Sequence, residues 1–128
     1  MSYYIGKNSA RYTLQGAVTL LKSYGIYIHF DDKIVYKGVE KTHGLTQCCC
    51  NGYKYIFDVA INSNLPIEEQ KLTLSHEMAH IVLGHLVGNK IESDYNISLE
   101  QQEFEAEALG LMICNFLFGF NSEQKVSV

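Results

Sequence analysis

Leu72-Thr73-Leu74-Ser75-His76-Glu77-Met78-Ala79-His80-Ile81-Val82-Leu83-Gly84-His85 is the stretch on which the reading of this chain turns. On a helix of 3.6 residues per turn, His76 and His80 are only about 40° apart in rotation, so both imidazoles face one point. Two nitrogens so placed suit Zn²⁺ at about 2.0–2.1 Å. Glu77, one residue along, stands beside such a metal and can reach a bound water without ligating it. With five His and ten Glu in 128 residues, a His-Glu-x-x-His run arises by chance in roughly 1–2% of such chains. The surrounding segment is helical: Pro66 suits a first turn, and from Glu68 to Leu86 the apolar positions Leu72, Met78, Ala79, Ile81, Val82, Leu83 and Leu86 cover a broad face. The sequence predicts a long buried helix holding the zinc pair of a peptidase, with His76 and His80 as ligands and Glu77 as general base.

A catalytic zinc needs a third protein ligand and an open position for water. Downstream, Ser98 followed by Gln101 reads as a capping box, opening a last helix that runs toward Phe118-Gly119. It offers Glu100, Glu103 and Glu107, which share one face at spacings of three and four. Glu105 points about 160° away from Glu103 and, like Glu100, reads as a solvated acid suited to the helix dipole. His85, about 140° from His80 on a continuing helix, reads as a surface or capping residue. His29 and His43 have no helical partner and read as structural. The run Cys48-Cys49-Cys50 alternates faces in a strand, so it cannot surround one ion and reads as buried small hydrophobes. Cys114 sits far away in an apolar stretch, so no disulfide framework suggests itself. Tyr95, between the two site helices, reads as a surface tyrosine within reach of an oxyanion role.

The N-terminal half supplies a scaffold. From Ser9 to Tyr24, Leu14, Ala17, Val18 and Leu21 recur at helical spacing, with Ser9 as a cap and Gly25 as a stop. Ile26-Tyr27-Ile28-His29-Phe30 alternates with period two, and Ile34-Val35-Tyr36 follows after Asp31-Asp32-Lys33. Leu45 to Cys50 meets Tyr53 to Ile61 across Asn51-Gly52, a strong hairpin signal. An α+β fold is expected, with an N-terminal helix, a small mainly antiparallel sheet and two site-bearing helices, all in a single domain over residues 1–128.

Composition narrows the function classes. At 47% hydrophobic, 12% aromatic and 19% charged residues, the chain has the make-up of a folded domain. Ten basic against fourteen acidic residues, a formal charge of −4, argue against direct nucleic-acid binding, which rests on Lys and Arg neutralising phosphates. No apolar run is long enough to span a membrane, and Met1-Ser2-Tyr3-Tyr4-Ile5-Gly6-Lys7 has no signal-peptide pattern, so a cytoplasmic protein is expected.

Over about residues 56 to 111 the sequence resembles the ImmA/IrrE-type metallopeptidases. The likeness lies in Ala60-Ile61-Asn62, in the stretch from Leu72 to His85, and in Glu103-Phe104-Glu105-Ala106-Glu107-Ala108-Leu109-Gly110. It implies a minimal zincin-like domain with His76, His80 and Glu103 as the zinc ligands and Glu77 as the base. Glu107 falls where the family has Asn or Asp and would hydrogen-bond a ligand histidine. Leu109-Gly110 departs from the family's Phe-Ala, and the Met-Pro that often ends this helix is absent. The resemblance further implies a regulatory zinc endopeptidase whose protein substrate is a helix-turn-helix repressor of a prophage or mobile element, encoded nearby. The alternative is a non-cleaving adaptor or anti-repressor that binds such a regulator. The strand around Tyr55 to Ile61 is expected to pair with an extended substrate.

Overall fold

The computed structural model describes residues 12–51, 54–85 and 98–119. Helix α1 spans Leu14–Lys22 and starts where the Thr13 hydroxyl accepts the Gly16 amide at 2.9 Å. The cap expected at Ser9 lies outside the described residues. Ala17 and Leu21 bury the inner face, and Gly25, at φ +84°, turns the chain into the sheet.

The sheet has the order β1-β5-β4, with β1 at Ile26–Asp31, β4 at Gly44–Asn51 and β5 at Lys54–Asn62. Strands β4 and β5 run antiparallel, as the hairpin signal implies. Asn51, expected in the turn, belongs to β4 and pairs with Lys54, while Gly52 and Tyr53 lie outside the described residues. Strand β1 joins β5 in parallel, from Ile26 opposite Phe57 to Asp31 opposite Asn62, so this sheet is mixed. A separate antiparallel ribbon pairs β2, Ile34–Tyr36, with β3, Val39–Lys41. Its two-residue turn, Lys37-Gly38, has positive φ at both positions (53° and 81°), as a type I′ turn requires.

Side-chain alternation sorts the two faces of the sheet. Ile26, Val59 and Ile61 point inward with Ala17, Leu21, Leu74, Cys114, Leu117 and Phe118 to form one core. Helix α2, Ile67–Val82, and helix α3, Leu99–Phe118, pack together on that side of the sheet. Because α2 is covered by both the sheet and α3, its buried residues include Thr73, Ser75, Glu77 and His80, while Leu72 and Val82 are exposed, contrary to their apolar character. Helix α3 begins as expected, with the Ser98 hydroxyl accepting the Gln101 amide at 3.0 Å, and stops at Gly119, φ +78°. Among the described residues, no helix is long and apolar enough to cross a membrane.

On the outer face, His29 of β1 lies between Asp31 (Nδ1 to Oδ2, 2.9 Å) and Asp58 of β5 (Nε2 to Oδ2, 3.1 Å). A ring that donates from both nitrogens to carboxylates must be protonated. Burial opposes this, but the Asp58 hydrogen bond and the charges of Asp58 and Asp31 outweigh it and raise the His29 pKa. The resulting stabilisation is fully present below the unfolded-state pKa and fades as pH rises through the raised folded-state value. His29→Gln should therefore lower the melting temperature more at about pH 5.5 than at about pH 8.5. The effect should stay under about 1 kcal/mol, because both partners are half-exposed and screened. Thermal melts at the two pH values check the sign.

A close backbone approach joins the two site helices. A Cβ built on Gly110 of α3 would stand 3.0 Å from His76 Cα and 3.3 Å from His76 N, both backbone atoms of α2. Ala fits this gap only with movement, and a branched side chain does not fit. Gly110→Val should destabilise the protein by about 1–3 kcal/mol, the usual range for overpacking, measured by urea unfolding. An unchanged midpoint would mean the helices are not held at this distance.

Candidate metal centre

His76 and His80 sit one turn apart on α2, and Glu103 reaches them from the second turn of α3. His76 Nε2 is 3.2 Å from His80 Nε2 and 3.0 Å from Glu103 Oε1, while His80 Nε2 is 3.4 Å from Glu103 Oε2. Three donors at the corners of a tetrahedron around an ion at about 2.0–2.1 Å would be separated by about 3.3 Å. The donor set fits a metal ion in both spacing and chemistry, two imidazoles and one carboxylate. Of the other acids considered from sequence, Glu100 falls outside this cluster, and Glu107 lies behind it, with Oε1 3.7 Å from His76 Nδ1.

Charge in the cluster is balanced by mutual pairing. Hydrogen bonds from His76 and then His80 hold the Glu103 carboxyl far below the usual carboxylate range, against the opposing effect of burial. The Glu103 bond likewise raises the His76 pKa, with the charges of Glu77, Glu103 and Glu107 acting in the same direction. A divalent cation held there would supply positive charge to these carboxylates.

Glu77 is buried, and its Oε1 accepts a 2.6 Å hydrogen bond from the Thr46 hydroxyl of β4. Thr46 pairs with Val59 and faces inward, toward α2. Strand β4 comes this close because Gly44 has no side chain. A Cβ there would meet Thr73 Cγ2 at 2.8 Å, the Ala60 carbonyl at 3.0 Å and Glu77 Cγ at 3.5 Å. Neither Thr46 nor Gly44 was legible as a site residue, since both depend on strand register across the hairpin.

His85 departs most from expectation. Helix α2 does not continue through it: Gly84, at φ +77°, donates to Ile81 O at 3.1 Å and His85 N donates to His80 O at 2.9 Å, a Schellman closure. The chain folds back over the last turn, and His85, only 2% exposed, sets its Nδ1 3.0 Å from His80 Nδ1. It is not a surface residue; the expected role at the helix end is met by its backbone amide, and its side chain adds the contact to His80. Glu105, read as a solvated acid, places Oε1 3.2 Å from His85 Nε2. The sequence signal was Gly84 itself, a glycine followed by a polar residue that must return over the helix end.

His43 lines the rim of the cleft, with its Nδ1 2.9 Å from Thr42 Oγ1. Cys48 is half-buried and Cys49 exposed, so the cysteine run is not the buried patch expected, and the Cys50 side chain and Tyr95 lie outside the described residues. The cleft over the cluster has a volume of about 690 Å³ and is bounded by Gly44, Leu45 and Thr46 on one side and by Leu72, Leu99 and Glu103 on others.

An open cleft over two imidazoles and a carboxylate, with a buried glutamate alongside, is the arrangement of a metallopeptidase. Sequence comparison narrows this to one family: the peptidase M78 model, described as the IrrE N-terminal-like domain, matches residues 22–117, and the chain belongs to that family. No curated protein and no solved structure matches it.

Thr46→Val keeps the shape of the side chain but removes the donor to a buried carboxylate. It should cost about 1–3 kcal/mol, the penalty for leaving such a group unsatisfied. Chemical denaturation of this variant beside Thr46→Ser, which restores the hydroxyl, separates the lost bond from lost packing.

Proposed function

We propose that this chain is a zinc-dependent endopeptidase. The observation that carries the reading is the set of three donors, His76, His80 and Glu103, at 3.0–3.4 Å from one another beside the buried Glu77. A zinc ion held there would supply Lewis acidity toward a carbonyl and toward water. Glu77 takes the proton of the attacking water and returns it to the leaving amine. Thr46 anchors that carboxylate through Oε1. Glu107, behind His76, orients that ring by charge rather than by a direct hydrogen bond, since 3.7 Å exceeds hydrogen-bond range.

The strand that meets the substrate is β4. The expectation had been β5, but β5 is paired on both sides, by β1 and by β4, and has no edge to offer. Among the described strands β4 lies at the sheet edge, and its residues Gly44, Leu45 and Thr46 border the cleft. An extended peptide added there would lie along the cleft, which selects unfolded or loop segments. The ImmA/IrrE likeness supports a regulatory role, with a helix-turn-helix repressor of a prophage or mobile element, encoded nearby, as the protein cut.

Glu77→Gln tests this reading. The amide keeps the shape and leaves the three donors untouched but cannot take the proton. Cleavage of the co-expressed neighbouring repressor should fall by about 10²–10⁴-fold, while zinc content stays near one equivalent per chain. If the variant relieves repression as well as the wild type, with the repressor intact in both, the protein acts by stoichiometric binding and the protease reading is wrong.

A further inference from the structure

The two histidines of the centre are supported in different ways. Behind His76 stands a carboxylate 3.7 Å away, too far for a hydrogen bond. Behind His80 runs a connected chain: His80 Nδ1 to His85 Nδ1 at 3.0 Å, His85 Nε2 to Glu105 Oε1 at 3.2 Å, and Gln101 Nε2 to Glu105 Oε2 at 3.2 Å. Its members come from the last turn of α2, the Schellman reversal after it, and the first two turns of α3.

With a metal ion on His80 Nε2, the protons of this chain follow from its donors and acceptors. A neutral imidazole has one N–H and one lone pair, and a carboxylate only accepts. Were His85 to donate from Nδ1 to His80, its Nε2 lone pair would face the Glu105 carboxylate at 3.2 Å, acceptor against acceptor. His80 would then hold its proton on Nε2, the atom that points to the cluster. The other assignment suits a ligand: His80 Nδ1–H donates to His85 Nδ1, His85 Nε2–H donates to Glu105 Oε1, and the His80 Nε2 lone pair is left for a metal ion, which would stand between it and Glu103 Oε2, 3.4 Å away. Glu105 thus decides the tautomer of a ring it does not touch.

We propose that His85 and Glu105 are positioning residues, a two-member relay that locks His80 in the Nδ1–H tautomer and aims its Nε2 lone pair at the metal centre. The inference rests on the reading of His80 as a ligand. A ligand histidine usually gives its second N–H to a carboxylate or carbonyl directly. Here an imidazole is inserted between them, because the reversal at Gly84 puts His85 where a carboxylate would otherwise stand. Glu105 is therefore needed on the side of α3 away from Glu103, the position that looked solvated from sequence alone.

The test uses the full chain with Zn²⁺ alone as probe. His85→Phe preserves ring volume and removes the acceptor; Glu105→Leu removes the far end. Each should weaken zinc binding by about 10–100-fold in competition with a chelator. The double variant should be no worse than the weaker single one, because both break one chain. Glu105→Gln, whose amide oxygen can still accept, should recover most of the loss. Zinc affinities within twofold of wild type for both single variants, or losses that multiply in the double variant, would overturn the relay. A second readout uses the zinc-loaded protein: long-range ¹H–¹⁵N spectra at about pH 8, where unperturbed imidazole is neutral, should show His80 protonated on Nδ1 and His85 on Nε2. The reverse pattern would overturn the proposal even if zinc binds. If instead His80→Ala binds zinc like the wild type while the spectra show the stated tautomers, the ligand reading fails and the relay stands.

Discussion

Glu103 can reach the two imidazoles of α2 because α3 lies against α2 almost backbone to backbone, at Gly110 over His76. Seven residues, two turns of helix, separate Gly110 from Glu103, so the contact sets both the distance and the rotation at which the carboxylate arrives. The same packing brings Glu105 to His85 and Glu107 to the back of His76. The departure from the family's usual residues at Leu109-Gly110 is thus a packing solution in this chain, the smallest side chain at the point of closest approach. On the other side of α2, Gly44 plays the matching part, admitting β4 until Thr46 meets Glu77.

Acidic residues dominate this region, with Glu77, Glu103, Glu105 and Glu107 gathered around three histidines. Each carboxylate has a specific neighbour: Thr46 for Glu77, both cluster rings for Glu103, His85 and Gln101 for Glu105, and His76 for Glu107. That division of labour is what a cation at the centre requires. In the proposed reading, one carboxylate would belong among the donors, one would be held apart for proton transfer, and the others would support the rings from behind. A cation bridging α2 and α3 would also add its binding energy to the stability of the helix pair.

The parts of this arrangement set by local geometry were legible in the sequence. His76, Glu77 and His80 follow from helical spacing, Ser98 and Gln101 mark the start of α3, and the shared face of Glu103 and Glu107 follows from their separation by one turn. The parts that depend on where a regular element ends, or on how distant elements are registered, were not. His85 looked misplaced only because the rotation was counted along a helix that Gly84 terminates. Glu105 looked solvated because its partner lies on that reversed segment. Thr46 becomes a site residue only once β4 is in register with β5, and the choice of β4 as the cleft edge required the parallel docking of β1, which leaves β5 in the centre.

The central claim is that His76, His80 and Glu103 form one metal centre, and X-ray absorption at the zinc edge of the zinc-loaded protein tests it most directly. The account predicts a four-coordinate site with two imidazoles among nitrogen and oxygen donors at about 2.0–2.2 Å. Sulfur scattering at about 2.3 Å would contradict it, because it would place the ion on the cysteines of β4, and so would a shell lacking the imidazole signature.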